Sequence, residues 1–171
     1  MSVPSEFGRR DAARSGDVEN GSMPAAAGCL EGMCVLVVDD ERDARELLAA
    51  ILSAEGAEVR LAASGTQAQL LLEAAPPDLM VCDLAMPGYD GFDLIRDLRG
   101  HPNEVIRRLP AIALSGMPRP EDRQRALDCG FDQHLSKPVD ADALVAAAAA
   151  RRPGRRPAGG DFDCARRTSR R

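Results

Sequence analysis

The sequence predicts an α/β fold in which five strands alternate with five helices. Two observations carry that reading. Short aliphatic runs recur, each ending on polar residues and a Gly- or Pro-bearing loop, as buried strands do. Between them lie segments whose apolar residues fall at i, i+3, i+4 and i+7, the mark of amphipathic helices. Strict alternation of the two requires right-handed crossovers and a parallel sheet covered by helices on both faces.

The first strand is Cys34-Val35-Leu36-Val37-Val38, a continuous run suited to burial on both faces, and it ends in Asp39-Asp40. Ala44, Leu47, Leu48 and Ile51 share one face of the helix that follows, which Gly56 ends. Residues 57–62 alternate Val59 and Leu61 with polar residues and read as an edge strand. Ser64 is placed to cap a helix carrying Ala68, Leu71, Leu72 and Ala75, stopped by Pro76-Pro77. The third strand, residues 78–83, ends on Asp83 and opens into the loop Leu84-Ala85-Met86-Pro87-Gly88-Tyr89. Asp90 is a good N-cap for a helix over residues 92–99, closed by Gly100. Residues 110–114 form the fourth strand, ending at Ser115-Gly116, and Pro120 starts a helix running to about Asp128. Residues 131–135 make a short fifth strand before Ser136-Lys137-Pro138, and a last helix spans 140–150.

A length of 171 residues suits one domain with spare segments: a flexible leader over 1–32, a folded body over 33–152 and an Arg-rich disordered tail over 153–171. The core is aliphatic, since apolar residues make up 44% but aromatics only 3%, with no Trp. Residues 33–150 hold 11 bases and 20 acids, whereas residues 151–171 hold 8 arginines and 2 acids. An acidic body argues against nucleic acid as its partner, and prolines and glycines in the tail forbid a basic recognition helix. Five cysteines without Cys-x-x-Cys spacing support neither a disulfide framework nor a zinc site; Cys34 and Cys82 read as small core hydrophobes. No apolar run is long enough to span a bilayer and the first twenty residues lack a signal-peptide core, so no membrane role and a cytoplasmic location are expected.

Parallel strands place all their carboxyl ends on one edge, where ligands bind in open α/β sheets. Asp39 and Asp40, Asp83, Ser115 and Lys137 all lie at such ends and should converge there. Each has a plain reading taken alone. Paired acids cap helices, Asp83 and Ser115 suit turns, Lys137 suits a surface, and His134 reads by default as a lone, partly buried structural histidine. It is their joint placement that points to chemistry.

Four segments in order resemble one family: Val-Leu-Val-Val-Asp-Asp-Glu at 35–41, Asp-Leu-Ala-Met-Pro-Gly-Tyr-Asp-Gly at 83–91, Ala-Leu-Ser-Gly at 113–116 and His-Leu-Ser-Lys-Pro at 134–138. On these, residues 33–150 resemble the receiver domain of two-component response regulators, with wording around 119–122 and 130–134 similar to receivers of hybrid sensor histidine kinases. The resemblance implies a flavodoxin-like doubly wound sheet in strand order 2-1-3-4-5. It also implies a phosphoacceptor at Asp83, and Mg²⁺ held by Asp39, Asp40, Asp83 and the backbone carbonyl of Ala85. Lys137 and Ser115 would bind the phosphoryl group, with Lys137 paired to Asp83 at rest, and Ser115 and His134 would act as the switch. Pro87, Gly91 and Pro138 would set loop geometry, the last through a cis bond. The implied donor is a sensor histidine kinase or a histidine phosphotransfer protein, and the output is contact with a downstream protein. Ala85 and Met117 stand where many receivers carry polar side chains that tune phosphate lifetime.

These features read as a regulatory phosphoacceptor and not an enzyme acting on outside substrates. Two alternatives stand beside it: a receiver fragment of a hybrid sensor histidine kinase, and an aspartyl-phosphate phosphatase. The second would want an acid two residues after Asp83, where this chain has Ala85.

Overall fold

The computed structural model describes residues 28–116 and 120–152. The strands are β1 (Cys34–Val38), β2 (Glu58–Ala62), β3 (Leu79–Asp83), β4 (Ala111–Ser115) and β5 (Gln133–Ser136). The helices are α1 (Arg42–Ala54), α2 (Gly65–Ala74), α3 (Gly91–Arg99), α4 (Glu104–Arg107), α5 (Pro120–Cys129) and α6 (Ala141–Ala149). All strand pairs are parallel, and the sheet order is β2-β1-β3-β4-β5. The three central strands are buried almost throughout, as their unbroken aliphatic sequences require, while β2 and β5 form the partly exposed edges.

Successive side chains point to opposite faces, so the sheet splits the core in two. Leu36, Val38, Met80, Cys82 and Ala113 pack under α2, α3 and α5, whereas Val35, Val37, Val81, Ile112 and Leu114 pack under α1 and α6. Because β1 pairs with β2 on one side and β3 on the other, the chain reverses direction across the sheet between β1 and β3. That reversal opens a crevice at the carboxyl ends of those two strands.

Local signals behave as their chemistry dictates. Ser64, Asp90 and Asp140 each accept a backbone N–H three residues on and cap α2, α3 and α6. Gly56 (φ +86°) and Gly130 (φ +116°) terminate α1 and α5 in the left-handed conformation. The next residue in each case donates back five positions, Ala57 to Leu52 and Phe131 to Ala126, closing the helix end.

Three features differ from the sequence reading by more than one residue. The described residues contain six helices, because Asn103 caps the single turn α4, which is too short to show periodicity. The fifth strand starts at Gln133, two residues late, since Phe131 completes the α5 cap and buries its ring in the core. The domain also begins before residue 33. Leu30 is wholly buried, its N–H donates to Glu55 O at 3.0 Å, and Arg152 donates to the carbonyls of Cys29 and Glu31. One leucine in a Gly/Ala-rich stretch carries no periodic signal. The remainder of the leader, the Arg-rich tail beyond 152 and Met117 lie outside the described residues.

Candidate functional site

The crevice between β1 and β3 collects four of the expected residues. Asp39, immediately after β1, is completely buried, and its side chain is tied down twice. Oδ1 accepts from the Glu41 N–H at 2.9 Å and Oδ2 accepts from Lys137 Nζ at 2.7 Å. Asp40 projects into solvent. Asp83, the last residue of β3, is 5% exposed; its Oδ1 accepts from the Ala85 N–H at 3.3 Å and its Oδ2 lies 3.2 Å from Lys137 Nζ. Carboxylate oxygens of Asp39, Asp40 and Asp83 lie within 4.8 Å of one another.

Lys137 enters from the end of β5. Its N–H donates to Ser115 O at 2.7 Å, and the Lys137–Pro138 bond is cis. Burial works against its charge, but the hydrogen bond to Asp39 and the fields of Asp83 and Asp39 outweigh it, so the pKa is raised. The expected resting pair with Asp83 is present, and Asp39 joins it as a second partner. Lys137 bonds both acids, and Asp39 is the nearer, because β1 lies beside β3 and its terminal acid sits deeper.

Three carboxylates against one ammonium leave excess negative charge in a pocket that Asp40 opens to water. Such an all-oxygen donor set could hold a hard divalent cation. The loop beyond Asp83 is shaped by its glycines. A Cβ on Gly91 would stand 2.4 Å from Asp83 O, and Gly88 turns the exposed Pro87-Gly88 corner at φ +78°. Cys82 stays a buried thiol. Burial first, then Asp83 and Asp39, push its pKa well above the usual thiol value.

Ser115 ends β4, 7% exposed and in register with Ser136. His134 pairs with Ala113, two positions back along both strands, so it shares Ser115's face of the sheet but stands apart from the acids. Its surroundings are α5 residues. Burial and Arg123 lower its pKa, Asp122 partly opposes them, and its buried Nε2 has no hydrogen-bond partner.

Three contacts near the site had no signal in the sequence. Arg45 of α1 donates to Asp39 O at 2.6 Å, and Tyr89 in the β3–α3 loop hydrogen-bonds Asp97 and Gln69. Helical periodicity places Arg45, Gln69 and Asp97 on helices but says nothing of what their ends touch.

Residues 35–149 match the family model of the response regulator receiver domain. The chain is 48% identical over 116 residues to the uncharacterized 14.6 kDa protein in the sodA1 3′ region of Leptolyngbya boryana, covering 68% of this chain and 87% of that one. It is 38% identical to response regulator MprA of Mycobacterium tuberculosis, covering 66% of this chain but only 47% of MprA, so it spans about half of that relative. The signal receiver domain of a signal transduction histidine kinase from Syntrophus aciditrophicus superposes with a TM-score of 0.62 at 34% identity, covering 70% and 88% of the two chains.

Proposed function

Because this chain belongs to the response regulator receiver domain family, we propose that Asp83 is its phosphoacceptor, taking a phosphoryl group from a phosphohistidine. The observation that carries this reading is one cluster: Asp39, Asp40 and Asp83 within 4.8 Å, with Lys137 bonded to two of them.

In the proposed reaction a carboxylate oxygen of Asp83 attacks phosphorus in line with the leaving nitrogen. The P–N bond breaks as the P–O bond forms, and the electron pair returns to the imidazole. The loose transition state asks for positioning and charge neutralisation, since its charge lies on the phosphoryl oxygens. Asp39, Asp40, Asp83 and the Ala85 carbonyl would hold Mg²⁺, which when bound neutralises charge on the transferring group. Lys137, poised between Asp39 and Asp83, moves its ammonium to a phosphoryl oxygen. The Ala85 N–H orients the Asp83 carboxylate for attack. Ala85 presents only a methyl group to solvent, so no side chain there supplies or withholds water from the phosphate.

Ser115, at the end of β4 beside β3, would follow the phosphate. His134, on the same face of the sheet, would carry the change to the α5 side. Output is then a change in affinity for a downstream protein. The donor class is a sensor histidine kinase or histidine phosphotransfer protein, which sets the domain in the cytoplasm; among the described residues no helix is long and apolar enough to cross a membrane.

The test is incubation with a small-molecule phosphodonor with and without Mg²⁺, followed by intact mass. Wild type should gain one labile phosphoryl group only with Mg²⁺, and Asp83→Ala none. Equal labelling of the two proteins would overturn the assignment.

A further inference from the structure

Tyr89 lies six residues beyond Asp83, in the loop that follows β3. Its ring rests on the first turn of α2, where a Cβ built on Gly65 would fall 2.2 Å from the ring. Its hydroxyl donates to Asp97 Oδ2 on α3 and accepts from Gln69 Nε2 on α2 at 2.6 Å. Gln69 also donates to Asp97 Oδ2 at 3.0 Å, closing a three-membered polar ring. One side chain thus ties the loop to both helices beside it.

The loop has few other restraints. Ala85, Pro87 and Gly88 are exposed, and between the Leu84 and Gly91 N–H groups the loop is held by the Ala85 N–H bond to Asp83 Oδ1, the buried Met86, the Asp90 cap on α3 and this tyrosine, which ties it to α2 as well. We propose that Tyr89, clasped by Gln69 and Asp97, is a positioning residue that holds the β3–α3 loop, and with it the Ala85 backbone, in register with the Asp39–Asp40–Asp83 cluster. The inference rests on the metal-site reading above. The clasp lowers the entropy that the loop would lose when a ligand engages Ala85, so its effect falls on affinity more than on fold stability. Burial first, then the bond to Asp97, push the Tyr89 pKa up from its ordinary value, which keeps the hydroxyl a donor through neutral and mildly alkaline pH.

The experiment is calorimetric titration of Mg²⁺ into wild type, Tyr89→Phe, Asp97→Asn, Asp97→Leu and Asp83→Asn, with hydrogen exchange of the loop amides in chelator. Tyr89→Phe keeps the ring over Gly65 and loses only the hydroxyl. It should weaken Mg²⁺ by roughly 3- to 10-fold, below the effect of orienting a ligand directly, and speed exchange at 85–90 with no metal present. Asp97→Leu should do the same, whereas Asp97→Asn keeps an oxygen acceptor and should restore most of the affinity. If Asp83→Asn weakens Mg²⁺ but Tyr89→Phe leaves both affinity and loop exchange unchanged, the clasp is refuted and Tyr89 only packs. If Asp83→Asn also leaves Mg²⁺ binding unchanged, it is the metal-site reading that falls.

Discussion

Lys137 Nζ and Asp39 Oδ2 meet at 2.7 Å although 98 positions separate them in the chain. The ammonium bridges a fully buried acid and Asp83, and the two carboxylates have no other cation among the described ion pairs. Its removal leaves two buried like charges facing each other. Lys137→Met should therefore destabilise the fold near the lower end of the about 3–5 kcal/mol seen when a buried pair is broken, because the lysine side chain keeps 24% exposure. Adding Asp39→Asn should recover much of that loss, a coupling that a double-mutant cycle in urea measures. A raised lysine pKa contributes stability that is complete below its ordinary 10.5 and is lost as pH rises through the folded value, so wild type alone should show this alkaline component.

Asp83→Asn removes one repelling charge and one metal ligand together. In chelator the variant should be more stable than wild type, by about 0.5–2 kcal/mol, as substitutions that relieve functional strain commonly are. Wild type should gain about 1.4 kcal/mol at Mg²⁺ ten times its Kd, and the variant much less. Denaturation followed by circular dichroism suits a chain without Trp. A wild type indifferent to Mg²⁺ would show that these acids do not share a metal site.

His134 should give the protein an acid-sensitive slope. Burial and Arg123 lower its pKa below 6.5, with Asp122 opposing, so the unfolded chain takes the proton first as pH falls. More protons on the unfolded state make stability rise with pH. The contribution is complete above 6.5 and is lost as pH falls through that value toward the folded one. Urea unfolding of wild type and His134→Gln between about pH 5 and about pH 7.5 isolates it. The variant should lose the extra slope while phosphorylation at neutral pH persists; loss of labelling would place His134 in the reaction instead.

Leu30 tests where the folded domain begins. It is fully buried among Met33, Leu52 and Ala57, so Leu30→Ala should cost about 2–5 kcal/mol, as other buried leucine truncations do. A chain starting at Met33 should lose at least as much in the same denaturation experiment, together with the Arg152 contacts to Cys29 and Glu31.

Much of the fold was legible because its signals are local. An unbroken aliphatic run cannot be other than buried, so Val35–Val38, Leu79–Cys82 and Ala111–Leu114 announce the three central strands. Ser64, Asp90, Asp140, Gly56 and Gly130 mark helix ends through bonds to backbone within five residues. The convergence of Asp39, Asp40, Asp83 and Lys137 followed from parallel strands sharing one edge. Strand order required the family resemblance, since alternation is silent on which strands are neighbours.

Distances and partners belong to packing, which sums over residues remote in the chain. No periodicity says that Lys137 reaches Asp39 more closely than Asp83; that depends on how deep the end of β1 lies beside β3. Leu30 is core because its own N–H bonds Glu55 O, 25 positions on, and Arg152 bonds the flanking Cys29 and Glu31 from 123 and 121 positions away. Tyr89, one aromatic in a loop, acquires its meaning from Gln69 and Asp97 on two other elements. A residue's own type and its near neighbours govern backbone conformation and burial, whereas a side chain's partner is chosen by the three-dimensional positions of elements that local preference does not encode.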